Sequence, residues 1–251
     1  DSTSRLKARM AAGEVLTGTF VKIAEVTVIE VLATSGLDFL CLDTEHSGWD
    51  RGRLDACLAV ARALDMPCLV RVPSGTPENV LIALDAGAVG VVVPHVASAA
   101  QAALVAQAAH FGPGGRGFAG STRWAGFATR TMADVLAQDG QTIVIAQIEE
   151  PEGVEAAAAI AAVPGIDALF AGPADLTVGY GLNALGSDVL SRALDQIGTA
   201  ARGAGRAYAT WVPDSATAKT WARHGVTMFL VGSDHSFLRA GAAAVARDLA
   251  G

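Results

Sequence analysis

The chain has 251 residues, of which 51% are hydrophobic, and a formal net charge of −7. Its three lysines, Lys7, Lys22 and Lys219, are too few to line a nucleic-acid groove, and no apolar run approaches the roughly 18 residues of a membrane span. Three irregularly spaced cysteines, Cys41, Cys57 and Cys68, read as buried reduced thiols of a cytoplasmic protein, and the opening DSTSRLKARMAAG has no continuous apolar segment of the signal-peptide kind.

Residues 4–12 predict a short helix ended by Gly13, and VLTGTFVKI at 15–23 the first strand. A helical stretch at 24–35 stops at Gly36, and FLCLD at 39–43 is the second strand, running directly into Thr44, Glu45, His46, Ser47, Gly48 and Trp49. Helix 51–64 leads to strand CLVRV at 68–72, closed by Pro73. The next helix begins at Pro77 after Thr76 as cap and runs to Asp85 and Ala86. VGVVV at 89–93 is the fourth strand, with Pro94 and His95 at its end, and Ser98 caps a helix at 99–110. The Gly-rich insertion 112–130 and a short helix at 131–138 follow. The runs Thr142–Ala146 and Ala168–Ala171 are strands five and six, separated by an alanine-rich helical segment. A loop with Tyr180 and Asn183, a helix at 187–203, strand RAYAT at 206–210, a helix at 214–223, strand MFLVG at 228–232 and a helix at 235–249 complete the chain.

Eight strands, each followed by a helix, predict an α/β fold of the (β/α)8 barrel type in a single domain, 1–251. A doubly wound open sheet is the rival; no GxGxxG follows the first strand, which removes its dinucleotide-binding form. In a barrel the chemistry belongs at the C-terminal strand ends, and the polar residues concentrate there: Lys22, Glu45, His46, Arg71, His95, Gln147, Glu149, Asp175, Ser233, Asp234 and His235.

Strand five delivers Gln147, Glu149 and Glu150, and strand six Gly172, Pro173 and Asp175. If the two are parallel neighbours, Glu149 and Asp175 share one edge and form an oxygen-rich site for a hard divalent cation, Mg²⁺ or Mn²⁺, that orients a 2-oxo acid. Each carboxylate alone could instead cap a helix. Backbone N–H groups around Gly172, Pro173 and Ala174 suit a carboxylate. Arg71 inside a buried strand needs an anion, either a developing enolate oxygen or a structural partner such as Asp43 or Glu45. His46 is the candidate base, and Lys22 is a rival as a Schiff-base nucleophile.

LDTEH at 42–46, RVP at 71–73, LDAGAVGVVVP at 84–94, QIE at 147–149 and FAGPADLT at 170–177 resemble the HpcH/HpaI aldolase family of metal-dependent pyruvate aldolases. The closest branch is that of 4-hydroxy-2-oxo-acid and 2-keto-3-deoxy sugar acid aldolases. The resemblance implies that Glu149 and Asp175 bind Mg²⁺, Mn²⁺ or Co²⁺, that Arg71 stabilises a pyruvate enolate, and that His46, paired with Asp85, moves protons to and from the aldol hydroxyl. It places Gln147, Phe170, Gly172, Pro173 and Ala174 in the pyruvate pocket. Phe20 and Arg123 depart from the residues common in the family and are read as contacts for the aldehyde end of the substrate, and Val212 is taken as a further substrate-binding position. Small 2-oxo acids and aldehydes would be the partners, with no nucleic acid or membrane. The implied assembly is a homo-hexamer, a trimer of dimers, with the last helix packed on a neighbour. Oxaloacetate decarboxylation and CoA-thioester cleavage are the alternative reactions within the same superfamily.

Overall fold

The computed structural model describes residues 2–250, with side chains from Arg5 onward. Eight strands close into a barrel in sequence order: β1 (Leu16–Val21), β2 (Phe39–Asp43), β3 (Cys68–Arg71), β4 (Gly90–Val93), β5 (Ile143–Ile148), β6 (Ala168–Ala171), β7 (Ala207–Val212) and β8 (Met228–Ser233). Every neighbouring pair is parallel, including β8 with β1. Twelve α-helices are described: α1 (Ser2–Ala11), α2 (Val26–Ala33), α3 (Arg51–Ala63), α4 (Pro77–Asp85), α5 (Ala99–Ala109), α6 (Met132–Ala137), α7 (Pro151–Glu155), α8 (Ala157–Ala161), α9 (Pro173–Gly179), α10 (Asp188–Gly203), α11 (Ser215–Trp221) and α12 (Asp234–Leu249).

The helix starts follow local chemistry. Thr76, Ser98 and Ser187 each accept a hydrogen bond from the backbone N–H three residues on, at α4, α5 and α10. Pro173 opens α9 at a position where its missing N–H costs nothing. That helix is an addition to the expected elements, since the sequence pattern alone reads 172–186 as a loop.

Alternation along each strand divides the core in two. One set of side chains fills the barrel: Leu16, Phe39, Leu69, Ile143 and Met228 pack with Leu6 and Met10 of α1, which plugs the N-terminal end. The other set, including Leu40, Val70, Val91, Val144 and Leu169, packs outward against Leu58, Val80, Ile160 and Ile197 of the helices. Near the C-terminal end of the barrel the interior changes from aliphatic to polar, with Asp43, Arg71 and Gln147 buried. On α12, by contrast, Leu238, Val245 and Leu249 are exposed. No described helix is long and apolar enough to cross a membrane, and the three cysteines are free and buried.

Candidate active site

A cavity of about 320 Å³ opens at the C-terminal end of the barrel, lined by residues of most strands. Of the residues expected there, Phe20, His46, Arg71, Gln147, Phe170, Gly172, Pro173, Ala174 and Asp175 line it, together with Lys22, Trp211, Gly232 and Ser233.

Its floor is set by strand register. Asp43 is the Cα partner of Arg71 across β2 and β3, so both side chains point into the barrel. Arg71 Nε and Nη2 donate to the two oxygens of Asp43, at 2.9 and 2.8 Å. The guanidinium lies 4.3 Å from the centre of the Phe20 ring, which itself meets Phe170 edge-on at 6.3 Å. Nη1 makes no hydrogen bond among the described residues and is left for an incoming oxygen. The structural partner foreseen for Arg71 is therefore present, and the arginine still reaches the cavity.

Lys22 Nζ also sits 2.8 Å from Asp43 Oδ2. Engaged by a buried carboxylate, it lacks the desolvated apolar setting that a Schiff-base lysine needs. Burial alone would raise the Asp43 pKa, but Arg71 and Lys22 together outweigh burial and hold it at about 2. A carboxylate depressed on folding stabilises the fold at pH values above its unfolded pKa near 4. That contribution, on the order of 2 kcal/mol, is lost as pH falls from about 4 towards 2. In protein carrying ¹³C-labelled aspartate, one carboxyl signal, absent from Asp43→Asn, should stay ionised down to about pH 3. Titration of that signal near pH 4 would show the paired geometry to be absent in solution.

Glu149, at the end of β5, is buried and already holds two hydrogen bonds. Its Oε1 accepts from the His95 backbone N–H at 2.7 Å, and its Oε2 from the Gln147 side chain. Oε1 also has His95 Nδ1 at 3.0 Å, and lone-pair capacity remains on Oε2. A Cβ on Gly172 would stand 3.1 Å from Oε2, so glycine keeps room beside this carboxylate. Burial raises the pKa of Glu149, and Asp175 adds like-charge repulsion, while burial likewise raises Glu45. Donor atoms of Glu45, His95 and Glu149 lie within 4.8 Å of one another. This cluster is capable of coordinating a divalent cation: Glu45 Oε2 is buried and accepts no hydrogen bond, its nearest cation being Arg71 Nε at 3.3 Å, and carboxylates penalised by burial are further relieved by a metal ion. Asp175, in the first turn of α9, lines the cavity, whereas Glu45, His95 and Glu149 stand beside it and are not part of its lining; Asp175 in turn is not part of the three-donor cluster.

His46 is exposed at the cavity rim, with Nε2 3.6 Å from Glu45 Oε2. Within one chain its partner is Glu45 and not Asp85. Asp85 ends α4, and a helix that returns antiparallel to its strand ends at the opposite face of the barrel; there Asp85 pairs with the buried Arg116. Arg123 belongs to the same opposite face, because the Gly-rich segment connects α5 back to the start of β5. It donates to the Ala86 carbonyl at 2.9 Å and to Asp55 at 2.8 Å. Val212 points outward into the layer between strands and helices, fully buried. The preceding residue, Trp211, lines the cavity instead, its indole N–H donating to the Gly232 carbonyl at 3.1 Å. The structure thus does not bring Asp85, Arg123 or Val212 to the cavity. It adds Trp211 and Gly232 to the cavity lining. Of these, Trp211 is legible once strand seven is extended to 212, since strand alternation then sets it on the side of Ala209, inside the barrel.

The sequence profile of the HpcH/HpaI aldolase/citrate lyase family matches residues 16–240. The chain is 33% identical over 235 residues to a hydroxypyruvate/pyruvate aldolase of Roseovarius nubinhibens, covering 92% of this chain and 91% of that protein. It is 34% identical over 239 residues to a 5-keto-4-deoxy-D-glucarate aldolase of Klebsiella pneumoniae, covering 94% and 93%. The crystal structure of an HpcH/HpaI aldolase/citrate lyase family protein from Burkholderia cenocepacia superposes with a TM-score of 0.93 at 32% identity, over 99% of this chain and 100% of that one.

Proposed function

The chain belongs to the HpcH/HpaI aldolase/citrate lyase family, and on that premise we propose that it catalyses reversible aldol cleavage of a 4-hydroxy-2-oxo acid to pyruvate, or a close 2-oxo acid, and an aldehyde. Family and fold make it a metal-dependent carbon–carbon lyase. The observation that carries the finer reading is the meeting of two features at one end of the barrel. Arg71 has a donor to spare beside the cavity, and Glu149 stands among further metal-competent donors.

In this reading Glu149 and Asp175 would hold a divalent ion, Mg²⁺, Mn²⁺ or Co²⁺, with Glu45 in reach, and such an ion would supply Lewis-acid polarisation of the 2-keto oxygen. Arg71, locked by Asp43, presents Nη1 to the oxygen that becomes negative as the C3–C4 bond breaks, without reorganising when the charge appears. His46 takes the proton of the C4 hydroxyl, its ring near the Glu45 carboxylate, and C3 of the enolate then takes up a proton to give pyruvate. Phe170, Gly172, Pro173 and Ala174 hold the pyruvate half, and Phe20, Lys22 and Trp211 face the rest of the cavity. Asp85 enters only through a second copy of the chain, since within one chain the barrel separates it from His46. The exposed apolar side chains of α12 suit a helix covered in a homo-hexamer.

The test needs no knowledge of the aldehyde. Exchange of the pyruvate methyl protons in D₂O, followed by NMR with metal removed and then restored, reports enolate formation alone. Metal-dependent exchange supports the reading. A folded, metal-loaded protein that shows no exchange with Mg²⁺, Mn²⁺ or Co²⁺ overturns the pyruvate assignment.

A further inference from the structure

His95 occupies an unusual place. It follows Pro94 at the end of β4 with φ +57°, a backbone conformation that L side chains seldom adopt. This turn brings one residue twice onto one carboxylate: the backbone N–H of His95 donates to Glu149 Oε1 at 2.7 Å, and ring Nδ1 lies 3.0 Å from the same oxygen. Nδ1 also hydrogen-bonds Glu150, and Nε2 lies 3.6 Å from Glu45 Oε1. The Glu45 side chain is only 9% exposed, and its Oε2 accepts no hydrogen bond.

These donors stand close enough together that modest side-chain rotation brings them onto one small cation. An octahedral ion with ligands at about 2.1 Å separates adjacent donors by about 3 Å and opposite donors by about 4 Å. The donor atoms of Glu45, His95 and Glu149 fall within 4.8 Å of one another. Two of them are carboxylate oxygens, which any hard divalent ion accepts. The third is an imidazole nitrogen, which Mg²⁺ binds poorly and which Mn²⁺, Co²⁺ and Zn²⁺ bind with increasing preference.

We propose that the His95 ring nitrogen is a protein ligand of the divalent ion alongside Glu149 and Glu45, and that it biases the site towards first-row transition metals over Mg²⁺. This rests on the reading that a divalent ion works in this cavity. The competing role is an ion-pairing histidine that only tethers Glu149 and Glu150.

Pulsed EPR on the intact protein loaded with one Mn²⁺ per chain separates the two. The expected spectrum carries ¹⁴N modulation from imidazole, retained in His46→Gln and absent from both His95→Ala and His95→Gln. Calorimetric titration should show Co²⁺ affinity falling at least about tenfold in the His95 variants while Mg²⁺ affinity changes by less than about threefold. An oxygen-only spectrum from the metal-loaded wild type, modulation that disappears with His46 and persists without His95, or equal losses for Co²⁺ and Mg²⁺ would each overturn the assignment. Pyruvate proton exchange is scored separately. Exchange without nitrogen coupling rejects His95 as a ligand and leaves the enolate reading standing, whereas nitrogen coupling without exchange does the reverse.

Discussion

Glu149→Gln is expected to reduce metal-dependent exchange of the pyruvate methyl protons by roughly a thousandfold, the loss of about 4 kcal/mol of Lewis-acid stabilisation. The substitution is nearly isosteric. The amide oxygen can still accept the His95 backbone N–H, so the β4–β5 end of the barrel keeps its shape. What disappears is the buried charge that attracts the ion. Burial raises the Glu149 pKa, which means that its ionised form costs folding energy at neutral pH when no cation is present. The metal-free variant should therefore be at least as heat-stable as metal-free wild type. Added Mn²⁺ or Co²⁺ should raise the melting temperature of the wild type and leave that of the variant nearly unchanged. Exchange at the wild-type rate in Glu149→Gln would remove this residue from the metal site.

Arg71 yields the second large effect, and its two roles can be pulled apart. Arg71→Ala leaves Asp43 fully buried with only Lys22 to compensate it, so a destabilisation of about 3 kcal/mol is expected along with loss of exchange. Arg71→Lys keeps the charge but cannot donate from a planar fork to Asp43 and to a substrate oxygen at once. Exchange should fall by roughly 10²- to 10³-fold with the protein folded. The decisive variant replaces both partners, Asp43→Leu with Arg71→Met. Removing a buried pair together costs far less than breaking it, so stability should largely return while exchange does not. Recovery of exchange in the double variant would show that Arg71 is structural only.

Much of this is legible in the amino-acid sequence itself. Strands 39–43 and 168–171 are short apolar runs bounded by turn residues, and they occupy those bounds in the fold. Arg71 and Glu149 stood out because a charged group at the end of a buried strand has no packing reason to be there. What escaped was decided by facing and by distance. Val212 and Trp211 differ by one residue, and strand parity sends one outward and the other into the cavity. Asp85 and Arg123 follow helices rather than strands, and so lie on the far face of the barrel, a consequence of topology that resemblance between motifs does not convey. The grouping of Glu45, His95 and Glu149 unites the ends of β2, β4 and β5, and only the closed sheet sets their separation.

The crowding of carboxylates also dictates an order of events. Lys22 and Arg71 stand among Asp43, Glu45, Glu149, Glu150 and Asp175, so the side chains at the mouth of the barrel carry more negative than positive charge even when His95 is protonated. A 2-oxo acid is itself an anion and is turned away by that field. A divalent ion offsets that excess, so the cation is expected to bind before the organic substrate. Calorimetry should accordingly detect pyruvate binding to the metal-loaded protein and none in EDTA, and equal binding in both would show that substrate and ion arrive independently.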